Sequence, residues 1–148
     1  MELKLDFKFD AAHRLMHHAG LCRNIHGHTW KVRVTVEGEP DKKTGMVVDF
    51  KALKESIGSV INLFDHAFIL NVKDEMFPEM FAKFSSTMAI EGEPTCENIA
   101  ARIFWDISRT FSAHNILIDA DNSDFALLRL VAVRVWESET ASAVYKGD

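Results

Sequence analysis

Two alternating segments, each ending in histidine on its apolar parity, constrain this chain more than anything else in it. Leu3, Leu5, Phe7, Phe9, Ala11 and His13 share one parity, and strand side chains alternate faces with a period of two. His26, His28, Trp30, Val32, Val34 and Val36 share another, with Lys31, Arg33, Thr35 and Glu37 between them. Two strands are therefore predicted, Glu2 to about His13 and His26 to about Gly38, with all three histidines on buried faces. Paired as a hairpin, they bring three imidazoles to one end of a sheet, beneath the loop from Arg14 to Ile25. A single histidine on an apolar face is ordinarily a hydrogen-bonded core residue. Three in matching phase leave several ring nitrogens to satisfy, which a metal does at once. Three neutral imidazoles with an open fourth position are the ligand set of a catalytic zinc site, and they also suit other divalent ions. Two cysteines without a paired motif argue against a Cys-rich structural site.

The rest of the chain supplies the layer that buries those faces. After a charged turn from Glu39 to Gly45, Met46 to Val48 reads as a short extended piece. Asp49 then caps a helix of roughly Phe50 to Asn62, with Leu53, Ile57, Val60 and Phe64 as its apolar stripe. Pro94 and Thr95 open a second helix, roughly Cys96 to Phe111, with stop signals at Ser112 to Asn115. Between the two, Asn71 to Glu93 carries Met76, Phe77, Met80, Phe81 and Phe84 near Pro78 and reads as one or two amphipathic turns, either an inserted lid that packs on the body or a neighbouring subunit or a segment with a cofactor role. A polar loop at Asp119 to Asp124 precedes a long strand, Phe125 to Ser138, and a last one, Ala141 to Tyr145. Strand, strand, helix, helix, strand, strand implies an α+β fold: a four-stranded antiparallel sheet with both helices on one face. Its open edges favour an oligomer.

At 148 residues, 47% hydrophobic and 26% charged, the chain is expected to form one domain, 1–148, without a membrane segment. The alternating N-terminus does not resemble a signal peptide, so a cytoplasmic setting and reduced thiols are expected. The net charge of −5 argues against nucleic acid as a partner. An anionic small molecule would need local cations, for which Arg14, His17, His18 and Arg23 are candidates.

Four further residues carry possible chemistry. Glu137 is in phase with Leu127, Val131, Val133 and Val135, so a carboxylate ends an apolar strand face. It either accepts from backbone amides or takes two hydrogen bonds from a planar heterocycle such as a pterin or guanine. Asp65 and His66 lie within LFDHAF, either as an exposed pair at a helix end or as a proton-transfer dyad. Cys22 sits four positions before His26. A thiol near a dication ionises more easily and becomes a base, a nucleophile or a ligand, whereas an inert buried thiol is the plainer alternative. Cys96 follows a helix cap and reads as packing, and His17, His18 and His114 read as surface residues.

The stretches FDAAHRL, CRNIHGH, GMVVDFKALK, FDHAF, PTCENIA and VRVWES occur in this order over nearly the whole chain. Together they resemble the superfamily of 6-pyruvoyl-tetrahydropterin and 6-carboxy-tetrahydropterin synthases. The resemblance implies the tunnelling fold, in which subunits assemble three at a time into a barrel and two trimers stack as a hexamer. It assigns zinc ligation to His13, His26 and His28, a thiol acid/base role to Cys22, and proton transfer to Asp65 and His66. Glu137 would anchor the pterin ring, with Thr95 and Glu97 near it, and subunit interfaces would build the site. The three residues between Cys22 and His26, and the GMVVDF stretch, resemble the bacterial carboxy-forming branch; the animal pyruvoyl-forming branch has a longer interval. The departure is Asn71 to Glu93, longer than in short bacterial members.

The implied activity is that of a carbon–carbon lyase. It converts 7,8-dihydroneopterin triphosphate into 6-carboxy-5,6,7,8-tetrahydropterin, acetaldehyde and triphosphate, on the route to 7-deazapurines such as queuosine. Pyruvoyl-forming activity on the same substrate, a non-catalytic metal- or pterin-binding module and a zinc hydrolase are the competing expectations.

Overall fold

The computed structural model describes residues 1–113 and 128–147. Strands β1 (Glu2–His13) and β2 (His26–Glu37) pair antiparallel along their full length, as their alternation predicts, with Leu5 opposite Val34 and Phe9 opposite Trp30. β5 (Arg129–Trp136) joins the other side of β2, antiparallel, with a bulge between Thr35 and Val36, and β6 (Ser142–Tyr145) pairs with β5. Their inward parities carry Phe9, Trp30, Val32, Val34, Val133 and Val135, all buried.

Two helices cover that face. The first, α1 (Phe50–Ile61), starts at Asp49, whose carboxylate accepts from the Lys51 amide at 2.6 Å, and buries Leu53, Ile57, Val60 and Ile61. The other long helix (Cys96–Ala113, α3 below) starts at Thr95, whose hydroxyl accepts from the Asn98 amide, and buries Ile99, Ile103, Phe104 and Ile107. Both join the strands in one apolar cluster.

The sheet departs from the four-stranded antiparallel expectation: among the described residues it has six strands and is mixed. β3 (Ala67–Asn71) pairs parallel to β1, and β4 (Thr87–Ile90) pairs parallel to β3, giving the order β4-β3-β1-β2-β5-β6. The reason lies in burial. Ala67, Ile69, Leu70 and Asn71 are all buried, so AFILN has no alternation to betray it. Parallel strands covered on both faces characteristically read as continuous apolar runs. A third helix, α2 (Phe77–Lys83), connects β3 to β4 within the segment read as a lid. Val47 and Val48 form a bend, so Met46 to Val48 is not the extended piece expected.

Elsewhere the boundaries lie close to expectation, with β5 ending at Trp136 and β6 beginning at Ser142. His114, Asn115, the loop at Asp119 to Asp124 and the start of the long strand, including Leu127, lie outside the described residues. Among the described residues no helix is long and apolar enough to cross a membrane.

Candidate metal centre and active site

The hairpin register sets His13 opposite His26 and Ala11 opposite His28, so all three imidazoles meet at the open end of β1 and β2. Their ring centroids lie 4.5 to 5.1 Å apart, and one ligand nitrogen from each falls within 4.8 Å of the others. Trp30, fully buried, is the floor: its ring meets His13 at 5.0 Å and His28 at 5.3 Å, both edge-on.

Backbone carbonyls select the tautomers. His13 Nδ1 is 2.8 Å from the Pro94 oxygen and His26 Nδ1 is 2.8 Å from the Asn24 oxygen. A carbonyl only accepts, so each Nδ1 carries the proton and each Nε2 keeps its lone pair. The Nε2 atoms of His13 and His28 are buried and have no hydrogen-bond partner. Burial pushes both imidazoles below the ordinary histidine range, the Pro94 carbonyl and Glu137 opposing this for His13 and Glu137 for His28. Neutral rings with orphaned lone pairs are the donor set that a divalent metal requires, and these residues fit one.

Glu137 lies one residue past β5, its carboxylate Oε1 3.4 Å from His13 Nε2 and 3.6 Å from His28 Nε2. The α3 N-terminus closes the same end. Pro94 is buried and holds His13, Thr95 caps the helix, and Glu97 is exposed in the first turn. Cys96 donates from Sγ to the Val135 oxygen at 3.1 Å, and burial pushes its thiol up, a packing role as expected. Cys22 is a half-buried free thiol in a 3-10 turn, Leu21–Arg23. That turn is tied to the end of the first strand by the Leu15 amide donating to the Cys22 oxygen at 2.9 Å.

Asp65 and His66 form a dyad, with His66 Nδ1 donating to Asp65 Oδ2 at 2.9 Å. Asp65 Oδ1 also accepts from the Asp10 amide at 2.9 Å, and these bonds hold its carboxyl below the ordinary range. His66 has φ of +58°, a left-handed conformation that a non-glycine residue adopts at a cost, and its side chain is 80% exposed. It lines a cavity of about 500 Å³ with Asp10, Ala12, Gly27 and Thr29, whose parity is opposite to that of the three histidines, and with Ala11 and His28, which share theirs. One chain gathers the histidines, Glu137 and the α3 cap at one centre, and the dyad adjoins a cavity reached by His28 whose strand lining is mostly of the opposite parity.

Arg14 is not a free cation. It donates from Nε and Nη2 to the buried Asp74 at 2.7 and 2.8 Å, so it is unavailable for the anion-binding role expected of it. His17 and His18 are exposed, as is Arg23. The residues that sequence reasoning missed are Pro94 and Asn24, which act through carbonyls that side-chain patterns do not display, and Asp74, one of five acids in the 71–93 segment and not marked out from them by any pattern.

Comparison with known proteins agrees with this geometry. The chain is 33% identical to a 6-carboxy-5,6,7,8-tetrahydropterin synthase of Haemophilus influenzae, over 98% of both chains. It is 29% identical to a protein of the same name from Aquifex aeolicus, over 99% of this chain and 98% of that one. The structure of Caenorhabditis elegans 6-pyruvoyl tetrahydropterin synthase superposes with a TM-score of 0.69 at 25% identity, covering 100% of this chain and 96% of that one. The profile of the family described as 6-pyruvoyl tetrahydropterin synthase matches residues 2–148, and the chain belongs to that family.

Proposed function

We propose that this protein is a zinc-dependent 6-carboxy-5,6,7,8-tetrahydropterin synthase, acting in the cytoplasm on the route to queuosine and related 7-deazapurines. The chemistry is conversion of 7,8-dihydroneopterin triphosphate to the carboxypterin, acetaldehyde and triphosphate. The names of its relatives support the activity. The observation that carries the metal reading is the pair of buried, unpartnered Nε2 atoms on His13 and His28.

His13, His26 and His28 would hold the metal, which when bound supplies Lewis acidity toward the substrate's side-chain hydroxyls. The remaining work falls to the protein. Glu137 accepts from the pterin's amino group and adjacent ring N–H, with Thr95 and Glu97 beside the ring. Cys22 removes a side-chain proton as thiolate. Because Asp65 holds His66 Nδ1, its Nε2 is the atom that delivers or collects the next proton. The separation of the dyad from the histidine centre within one chain suits a site completed by a second copy, in a homo-oligomer built as a dimer of trimers.

Mass spectrometry of the products formed by zinc-loaded protein tests the reading. Carboxypterin with acetaldehyde supports it. A pyruvoyl product, favoured by the likeness to the nematode enzyme, moves the chain to the triphosphate-eliminating branch. No turnover by folded, metal-replete protein makes it a binding module.

A further inference from the structure

The face of the sheet turned away from the histidine rings carries a charge arrangement that folding alone does not explain. Lys8 stands directly opposite Lys31 across β1 and β2, and Arg33 directly opposite Arg134 across β2 and β5. Like charges directly opposite one another destabilise a sheet, and here two such pairs lie in rows only two residues apart. Trp136 faces Lys31 across β2 and β5 and takes both guanidinium groups near its ring, Arg33 at 5.7 Å and Arg134 at 5.3 Å. Asp6 offsets Arg33 through a bidentate pair at 2.6 Å. Lys8, Lys31 and Arg134 have no ion-pair partner among the described residues. With Glu139, the residues lining this patch are three cations against two carboxylates, with Arg134 adjacent through Trp136, in a chain whose net charge is −5.

An open cavity of about 540 Å³ lies here with Asp6, Lys8, Lys31, Arg33, Trp136 and Glu139 on its walls, a size that suits a small molecule. We propose that it is a second binding site, separate from the metal centre, for a small oligophosphate, and specifically for inorganic triphosphate. Charge complementarity carries the proposal. The unpaired ammonium groups of Lys8 and Lys31, from adjacent strands, line one cavity with Arg33, and Arg134 lies beside its wall residue Trp136, so a compact polyanion complements the patch. A substrate bound at the histidines of the same chain does not reach it. Lys8 lies five residues from His13 on the same strand, roughly 17 Å at the antiparallel rise, and the cavity opens on the opposite face. The choice of triphosphate over other oligophosphates rests on the proposed reaction, which releases it.

The test is calorimetric titration of inorganic triphosphate into the His28→Ala protein without added zinc, which removes chelation and the metal centre from the measurement. The expected result is saturable binding, weakened by salt, that a Lys8→Gln/Lys31→Gln double variant in the same background reduces tenfold or more. The thermal midpoint of that variant without ligand equals or exceeds its parent's, because a repulsive pair has been removed. Arg134→Gln is the second variant and also weakens binding.

Unchanged affinity in the folded variants, or equal binding of orthophosphate, overturns the site. Tighter binding of GTP than of triphosphate overturns the choice of ligand, since a base stacked on Trp136 would then be what is recognised. Product identity is read separately, so failure here leaves the proposed reaction standing, and its failure leaves this site standing.

Discussion

Two of the three clustered imidazoles have their tautomer set by a backbone carbonyl. The main-chain carbonyls of Pro94 and Asn24 accept from Nδ1–H of His13 and His26, which leaves each Nε2 with the free lone pair. Replacing His13 with Ala removes a ligand and this register together. Zinc is then expected to be lost on dialysis, which metal analysis of the folded protein checks. Cys22 lies in the connecting loop and is not needed for that ligand set. Cys22→Ala is expected to abolish turnover with zinc still bound, and loss of zinc would make the thiol a ligand. The dyad shows the reverse economy. His66 is held by one carboxylate and by a left-handed backbone, strain of the kind that persists where geometry is functional.

Among the elements, the segment between β3 and α3 is tied to the end of β1 by a buried ion pair as well as by the Pro94 carbonyl on His13. Arg14 follows the ligand His13, and Asp74, fully enclosed, takes its guanidinium in a fork while also accepting from the Met76 amide at 2.9 Å. Removing one partner leaves an unpaired buried charge. Asp74→Asn is therefore expected to cost about 3–5 kcal/mol in urea denaturation. Burial pushes the Asp74 carboxyl up, but the Arg14 and Met76 bonds outweigh it and hold it below its ordinary value of 3.8. A depressed native pKa means the contribution is complete above that ordinary value and is lost as pH falls through the native one. The stability gap between the parent and Asp74→Asn should thus be full at neutral pH and narrow under acid titration. On the helical layer, Ile103→Ala in α3, at a fully buried position, is expected to cost about 2–5 kcal/mol by the same measurement.

For the whole molecule, the decisive arrangement is that the Asp65–His66 pair is held apart from the cluster of three histidines, with His28 alone of the three reaching the cavity that His66 lines. If a second copy completes the site, Cys22→Ala and His66→Ala proteins, each inactive alone, regain partial activity when dissociated and reassembled together. No recovery in verified mixed oligomers would place both groups in one chain's site.

Local pattern carried far. Period two in β1 and β2 fixed which side of the sheet each histidine occupies, and the same phase put Glu137 at their centre. Helical periodicity and capping residues placed α1 and α3, because amphipathic elements half-exposed to water must write their orientation into the chain. What local pattern does not carry is anything buried on both sides or made by backbone atoms. β3 lost its alternation because it has no solvent face. β4 is four residues long, and the Pro94 carbonyl meets His13 across 81 positions of chain. The sequence by itself determined the donor set and the antiparallel hairpin that aligns it. Only the tertiary structure decided which nitrogens are free, that Arg14 is spent on Asp74, and that the sheet is mixed. Those outcomes depend on which distant groups close packing brings within hydrogen-bonding distance.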